Sequence, residues 1–272
     1  MIHLKEIEAK SILTKTRVPA GDYVINPYIG CPHKCMYCYA DYMRRFTDHA
    51  EKWGDFIDIK HYAGKIPIRR LAGKKILFGS STDPYNPFER KYRVTRSLLA
   101  QFAGTNIAVQ ILTKSDLILD DLDLLEKIPN CTAGFSLNTL DDGIRRALEP
   151  RAPSIERRLT AARKLHAAGI STYLFLSPVF PGITDFREIL TACRDFTGTF
   201  YFENLNLRGA YRPAVLAYIR ENHPSLVPLY DDIYRRKNME YWRIMEKEIG
   251  AFCRKHDIKY GSYFYHEKIK KA

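Results

Sequence analysis

The sequence contains no run approaching the roughly 18 consecutive apolar residues that a membrane helix needs. It also lacks internal repeats and low-complexity tracts. Gly (15) and Pro (14) are ordinary for 272 residues, which excludes collagen-like and disordered classes. No apolar leader follows Met1, so the expectation is an intracellular, cytoplasmic protein with no membrane partner. Negative charge falls short, with 31 Asp and Glu against 43 Lys and Arg and a net charge of +12. That imbalance favours a phosphate-bearing or otherwise anionic partner, with nucleic acid one candidate; many soluble proteins are merely basic. Cysteine is scarce, six in all. An intracellular chain of this length does not read as a disulfide scaffold. Cys131, Cys193 and Cys253 lie in or beside apolar runs and read as small core hydrophobes.

What is present is alternation. Strand-like runs occur at 23–28, 75–79, 107–112, 132–137, 171–176 and 199–202. Helix-like segments occur at 94–102, 117–127, 154–168 and 186–196. Ser154 is placed to cap the third of these helices and Gly169 to end it. Strands alternating with helices predict βαβ units and a parallel sheet. Six of them predict an α/β fold built on a partial (βα)6 barrel, over residues 1–208. Phe56 to Lys60 reads as an extra extended piece. The pattern stops beyond Arg208, so residues 209–272 are expected to form a basic, helical C-terminal extension with one long helix over 230–253 and a solvated tail at Lys268 to Lys271.

The remaining cysteines are clustered in Asn26-Pro-Tyr-Ile-Gly-Cys31-Pro-His-Lys-Cys35-Met-Tyr-Cys38-Tyr-Ala40. Soft thiolates select zinc, Cu(I) or iron–sulfur clusters. A structural zinc site needs a fourth ligand, and His33 would make a cramped one. An electron-transfer cubane usually has four cysteines. Three thiolates on one loop leave one iron of a [4Fe-4S] cluster open. The loop follows the first strand, where parallel barrels carry their chemistry. Zinc-module and electron-carrier readings stay open at this point.

Cys-x3-Cys-x2-Cys with Tyr37 before the last cysteine resembles the signature of the radical S-adenosylmethionine (SAM) superfamily. Asn26-Pro-Tyr-x-Gly-Cys31, Ser81-Thr-Asp-Pro-Tyr-x-Pro-x-Glu89, Leu112-Thr-Lys-Ser115, Asp141-Asp142, Glu149-Pro-x-Ala-Pro153 and Arg158-Leu159 resemble its spore photoproduct lyase-like branch. The resemblance implies a [4Fe-4S] cluster on Cys31, Cys35 and Cys38 whose open iron chelates SAM. One electron then cleaves the sulfonium C–S bond, and the 5′-deoxyadenosyl radical abstracts a substrate hydrogen. A reductant such as flavodoxin or ferredoxin is implied as partner. For SAM contacts it implies Tyr37, the segment Ser80, Ser81, Thr82 and Asp83, then Lys114, Ser136 and Asn138, Arg158 as a carboxylate fork, and Pro178 and Val179 beside the adenine. Tyr37 and Tyr39 correspond to tyrosines proposed to relay a hydrogen atom. Each has a plainer alternative: a surface lysine for Lys114, a solvated helix residue for Arg158, a turn or cap for Ser136 and Asn138, and packing for Tyr39.

The sequence departs from the lyase proper. Gly79-Ser-Ser-Thr-Asp83 has no cysteine where the lyase keeps its hydrogen donor, and a serine O–H is too strong to replace it. Asp120-Asp121 stands where related chains often read Arg-Asp. These departures argue against repair of the lyase's own thymine lesion and leave nucleic acid, peptide, protein or small-molecule substrates. From Leu205 onward Lys and Arg outnumber Asp and Glu by 14 to 8. Tyr211, Tyr218, Tyr234, Tyr241, Trp242, Tyr260, Tyr263, Phe264 and Tyr265 are interleaved among them. That pattern suits phosphate grip with base stacking, or a helix packing its aromatics inward.

Overall fold

The computed structural model describes residues 2–264. Its strands, in chain order, are β1 (His3–Glu8), β2 (Leu13–Lys15), β3 (Tyr23–Ile25), β4 (Tyr28–Ile29), β5 (Phe56–His61), β6 (Lys75–Phe78), β7 (Ala108–Thr113), β8 (Cys131–Ser136), β9 (Ser171–Val179), β10 (Thr199–Asn204) and β11 (Tyr260–Ser262). Eight of them form one sheet in the order β11-β10-β9-β8-β7-β6-β3-β2. From β3 to β11 every pairing is parallel, and β2 alone runs antiparallel, on β3. The six expected strands thus lie side by side in sequence order, as a partial barrel does. No closed barrel forms among the described residues.

The crossover helices follow local signals. In Ile155–Ala167 the Ser154 hydroxyl accepts the Arg157 N–H, and Gly169 takes the left-handed turn at φ 79°. Ile155, Leu159, Ala162 and Leu165 are buried on one face, each leucine contributing about 1.5–3 kcal/mol by leaving water. Cys131, Cys193 and Cys253 are buried as well. No described helix is long and apolar enough to cross a membrane.

Several expectations need correction. The first strand stops at Ile25, because Pro27 has no N–H to continue a ladder. Tyr28–Ile29 pairs instead with β5, which with β1 makes a separate sheet in the order β1-β5-β4. The helix expected over 117–127 is a 3-10 stretch, Asp116–Asp121, followed by one turn, Leu122–Leu125. The long helix over 230–253 is two, Val227–Tyr234 and Glu240–Lys255. Between them Lys237 turns left-handed at φ 60°, and the Asn238 side chain accepts the Glu240 N–H at 2.9 Å.

The C-terminal part is not wholly helical either, since β11 adds a parallel strand to β10. Its aromatics mostly face inward: Tyr218, Trp242 and Phe264 are buried, and Tyr241 accepts the Gly182 N–H at 3.1 Å. Tyr265 and the Lys268 to Lys271 tail lie outside the described residues.

Candidate active site at the strand ends

The cysteine loop is held from both sides. Gly30 has φ 88°, and a Cβ there would stand 2.5 Å from the Phe56 carbonyl oxygen, so only glycine fits. Lys34 is also left-handed, at φ 55°. Its ammonium anchors the turn on Asp55 at 2.6 and 2.8 Å, and Arg151 reaches the same carboxylate at 3.1 Å. The Met36 N–H donates to the Leu148 carbonyl at 2.8 Å. Trp53 points its indole N–H at Cys38 Sγ, 3.2 Å away. All three loop cysteines are free and partly exposed.

Burial pushes the Cys38 thiol up to about 11, helped by the Cys31 charge. Burial also raises Cys35 well above the ordinary thiol range, with Glu149, Cys38 and Cys31 adding to it and Lys114 opposing.

The loop after β6 is built as tightly. Asn26 accepts the backbone N–H groups of Ser80 and Ser81 at 2.9 and 3.1 Å and donates to the Ser80 hydroxyl at 3.1 Å. Asp83, 7% exposed, accepts from the Thr113 hydroxyl (2.6 Å), Tyr85 N–H (2.9 Å) and Lys114 N–H (2.8 Å). His33 Nδ1 lies 3.4 Å from its other side. Burial would raise the Asp83 carboxyl; His33 and these donors outweigh it and hold it near 2. Asp83 therefore ties the cysteine loop to the ends of β6 and β7.

Lys114 follows β7 and is not a surface lysine, its side chain being 16% exposed. Its ammonium lies 3.9 Å from Glu149 and 5.9 Å from the centre of the Tyr37 ring. Burial would lower its pKa, but Cys35 and Glu149 raise it, so it stays a cation. Glu149 is fully buried and accepts from the Tyr37 hydroxyl and from Arg158. Arg158, 1% exposed, also donates to the carbonyls of Ser136 (3.1 Å) and Pro153 (3.0 Å). Asn138 is buried and donates to the Tyr37 hydroxyl at 3.1 Å.

These groups surround one cavity of about 630 Å³. Of the residues predicted from sequence, Cys31, Cys35, Tyr37, Cys38, Tyr39, Ser80, Ser81, Thr82, Asp83, Lys114, Ser136 and Pro178 line it. Asn138, Arg158 and Val179 do not: the first two brace the wall from behind, and Val179 is buried in the core. Tyr39 is 56% exposed at the mouth, its hydroxyl donating to the Ser80 carbonyl. Sequence reasoning missed the far wall of Tyr173, Phe175, Tyr201 and Glu203, residues that carry no motif, and named Tyr211 and Tyr263, which complete it, only among the C-terminal aromatics. Their only signal was placement in or after the last strands. Glu149 stood inside a quoted motif without an assigned part in the site, and His33 was weighed only as a cramped zinc ligand.

Residues 25–194 match the family model of the radical SAM superfamily. The chain belongs to this superfamily. It is 34% identical over 224 residues to the uncharacterized protein MJ0683 of Methanocaldococcus jannaschii, covering 82% of this chain and 85% of that one. Over 112 residues it is 31% identical to the radical SAM Nalpha-GlyT isomerase of Pseudomonas phage M6, covering 41% of this chain and 23% of the phage protein. Among solved structures it is similar to spore photoproduct lyase complexed with dinucleoside spore photoproduct, at TM-score 0.59 and 16% identity. That match covers 81% of this chain and 66% of the lyase, just under two thirds of the lyase's length, and at this identity the likeness is one of fold.

The cofactors of a radical SAM protein are a [4Fe-4S] cluster and SAM. The donors here fit them: three neighbouring thiols for a cluster, with a buried ammonium and a hydroxyl-rich loop beside them for an amino-acid group.

Proposed function

We propose that this protein is a radical SAM enzyme in which Cys31, Cys35 and Cys38 hold the cluster, SAM binds in the adjoining cavity, and the substrate is a nucleic acid or nucleotide. The observation that carries the reading is the convergence of the three thiols, Lys114 and the Ser80–Thr82 hydroxyls on one cavity at the strand ends. When bound, the cluster and SAM together supply one-electron cleavage of a sulfonium C–S bond and a species able to take hydrogen from the substrate.

The protein's part is binding, orientation and exclusion of water. Lys114 offers a fixed positive charge to a carboxylate. The Ser80, Ser81 and Thr82 segment presents polar groups, kept in register by Asn26. Glu149 holds Lys114 and Tyr37 in place. Ser136 and Pro178 line the cavity and would hold the nucleoside part of SAM. Tyr39, exposed at the mouth, would meet both the cofactor and an incoming substrate. The electron comes from a reductant of the flavodoxin or ferredoxin type.

The nucleic-acid assignment is supported by the +12 charge and by a stacking surface that begins at Tyr39. Tyr42 and Phe46 are 47% and 66% exposed on the 3-10 segment Tyr39–Phe46, and the Arg45 guanidinium lies over both rings at 5.5 and 4.8 Å.

The test is anaerobic reconstitution, reduction in the presence of SAM, and measurement of 5′-deoxyadenosine with DNA, RNA and peptides offered in parallel. Product formation that nucleic acid stimulates supports both parts of the proposal. Stimulation by peptide alone would keep the chemistry and move the substrate. No 5′-deoxyadenosine from fully loaded protein would overturn the enzymatic reading.

A further inference from the structure

A second cluster of ligand-type side chains lies outside the cavity, on the three-stranded sheet. His3 opens β1, Asp58 sits in the neighbouring β5, and His49 and Glu51 lie on the segment that leads into β5. One ligand atom each from His3, His49 and Glu51 lies within 4.8 Å of the other two. The two Glu51 oxygens stand 3.3 Å from His3 Nδ1 and 3.1 Å from His49 Nδ1. Ligands about 2.0–2.2 Å from a tetrahedral zinc are separated by roughly 3.3 Å, so these spacings suit one ion between them.

We propose that His3, His49 and Glu51 bind a zinc ion, with a water as fourth ligand. Three features support it. His49 Nε2 pairs with Asp58 at 2.7 Å, which fixes the ring proton there and turns the Nδ1 lone pair toward the site. That carboxylate–histidine arrangement commonly backs a metal-bound imidazole. The His49 ring is locked, its side chain 1% exposed and stacked on Phe56 at 3.9 Å and 18°. Glu51 and Asp58 bring two carboxylates to His49, one on each ring nitrogen, and a divalent ion suits that concentration of acidic groups.

His3 and Glu51 are 47% and 34% exposed, giving the ion an entry path and a place for water. Two nitrogens and one carboxylate suit zinc better than the hard cations magnesium or calcium. Such an ion would bind β1 to the segment before Trp53, whose indole reaches Cys38.

The test uses untagged protein, anaerobically reconstituted so that iron occupies the cysteines, then equilibrated with zinc and freed of excess. One zinc per chain is expected, with only nitrogen and oxygen neighbours in zinc-edge X-ray absorption. His3→Ala removes a half-exposed ligand without touching the core, and bound zinc should fall at least tenfold with iron unchanged. Asp58→Asn should weaken binding by about 10–100-fold while leaving the ligand set intact. Zinc should raise the thermal midpoint of the parent and not of His3→Ala. Sulfur neighbours at zinc, equal uptake by His3→Ala, or no retained zinc would overturn the proposal in favour of a doubly paired His49 imidazolium.

Discussion

Arg158 reaches Glu149 and the carbonyls of Ser136 and Pro153 from a buried position. The sequence could show only a basic residue early in a helix; enclosure by the wall of β8 makes it a brace for Glu149. Removing either member of a buried ion pair strands the other, at about 3–5 kcal/mol. Arg158→Ala and Glu149→Gln should each lose that much in urea denaturation, and Arg158→Lys should recover little because the guanidinium fork serves three acceptors. Unchanged stability with weakened SAM binding would restore a ligand role for Arg158. Trp53 offers a second check. Hydrogen bonds to cluster sulfurs favour the reduced, more electron-rich state. Trp53→Phe should therefore lower the cluster potential, read by a spectroscopic redox titration of reconstituted protein. Lys114 and Ser80 to Asp83 were legible because they sit in quoted motifs at strand ends. His33 was legible as a residue and not in its partner, Asp83, because their meeting is decided by the folding of two separate loops, one after β4 and one after β6.

Among the elements, the six central strands were readable because each is an apolar run flanked by helical periodicity. β1, β2, β4 and β11 were not, since exposed or two- to six-residue strands acquire their identity from a partner. The break between Val227–Tyr234 and Glu240–Lys255 was hidden for a similar reason: apolar spacing continues across it while Lys237 reverses the backbone. Loop geometry gives a contrast of two glycines. Gly30 and Gly104 both have positive φ, 88° and 71°, yet a Cβ at Gly104 meets nothing within 4 Å. Gly104→Ala should cost about 1 kcal/mol, from the left-handed backbone alone. Gly30→Ala should cost more and also reduce iron loading, because the Phe56 carbonyl blocks it. Thermal unfolding and iron content, measured on both variants, check this.

For the molecule as a whole, charge and architecture are separate matters. The +12 balance was visible at once; the exposed rings of Tyr42 and Phe46 beside Arg45, on the segment after Cys38, were not singled out, while the C-terminal Tyr211 and Tyr263 line the cavity. Tyr218 and Trp242 face inward because the helices that carry them pack on the barrel and under the cysteine loop. Replacing Arg44 and Arg45 by Ala should weaken nucleic-acid binding and reduce the slope of log affinity against log salt by about 1–2. An unchanged slope would move the interface elsewhere. The sequence by itself determined the thiol spacing, the βαβ order and the charge, because these are properties of neighbours along the chain. Only the tertiary structure decided which polar groups face the cavity and which brace it, because a buried charge takes whichever partner the packing of distant segments brings within reach.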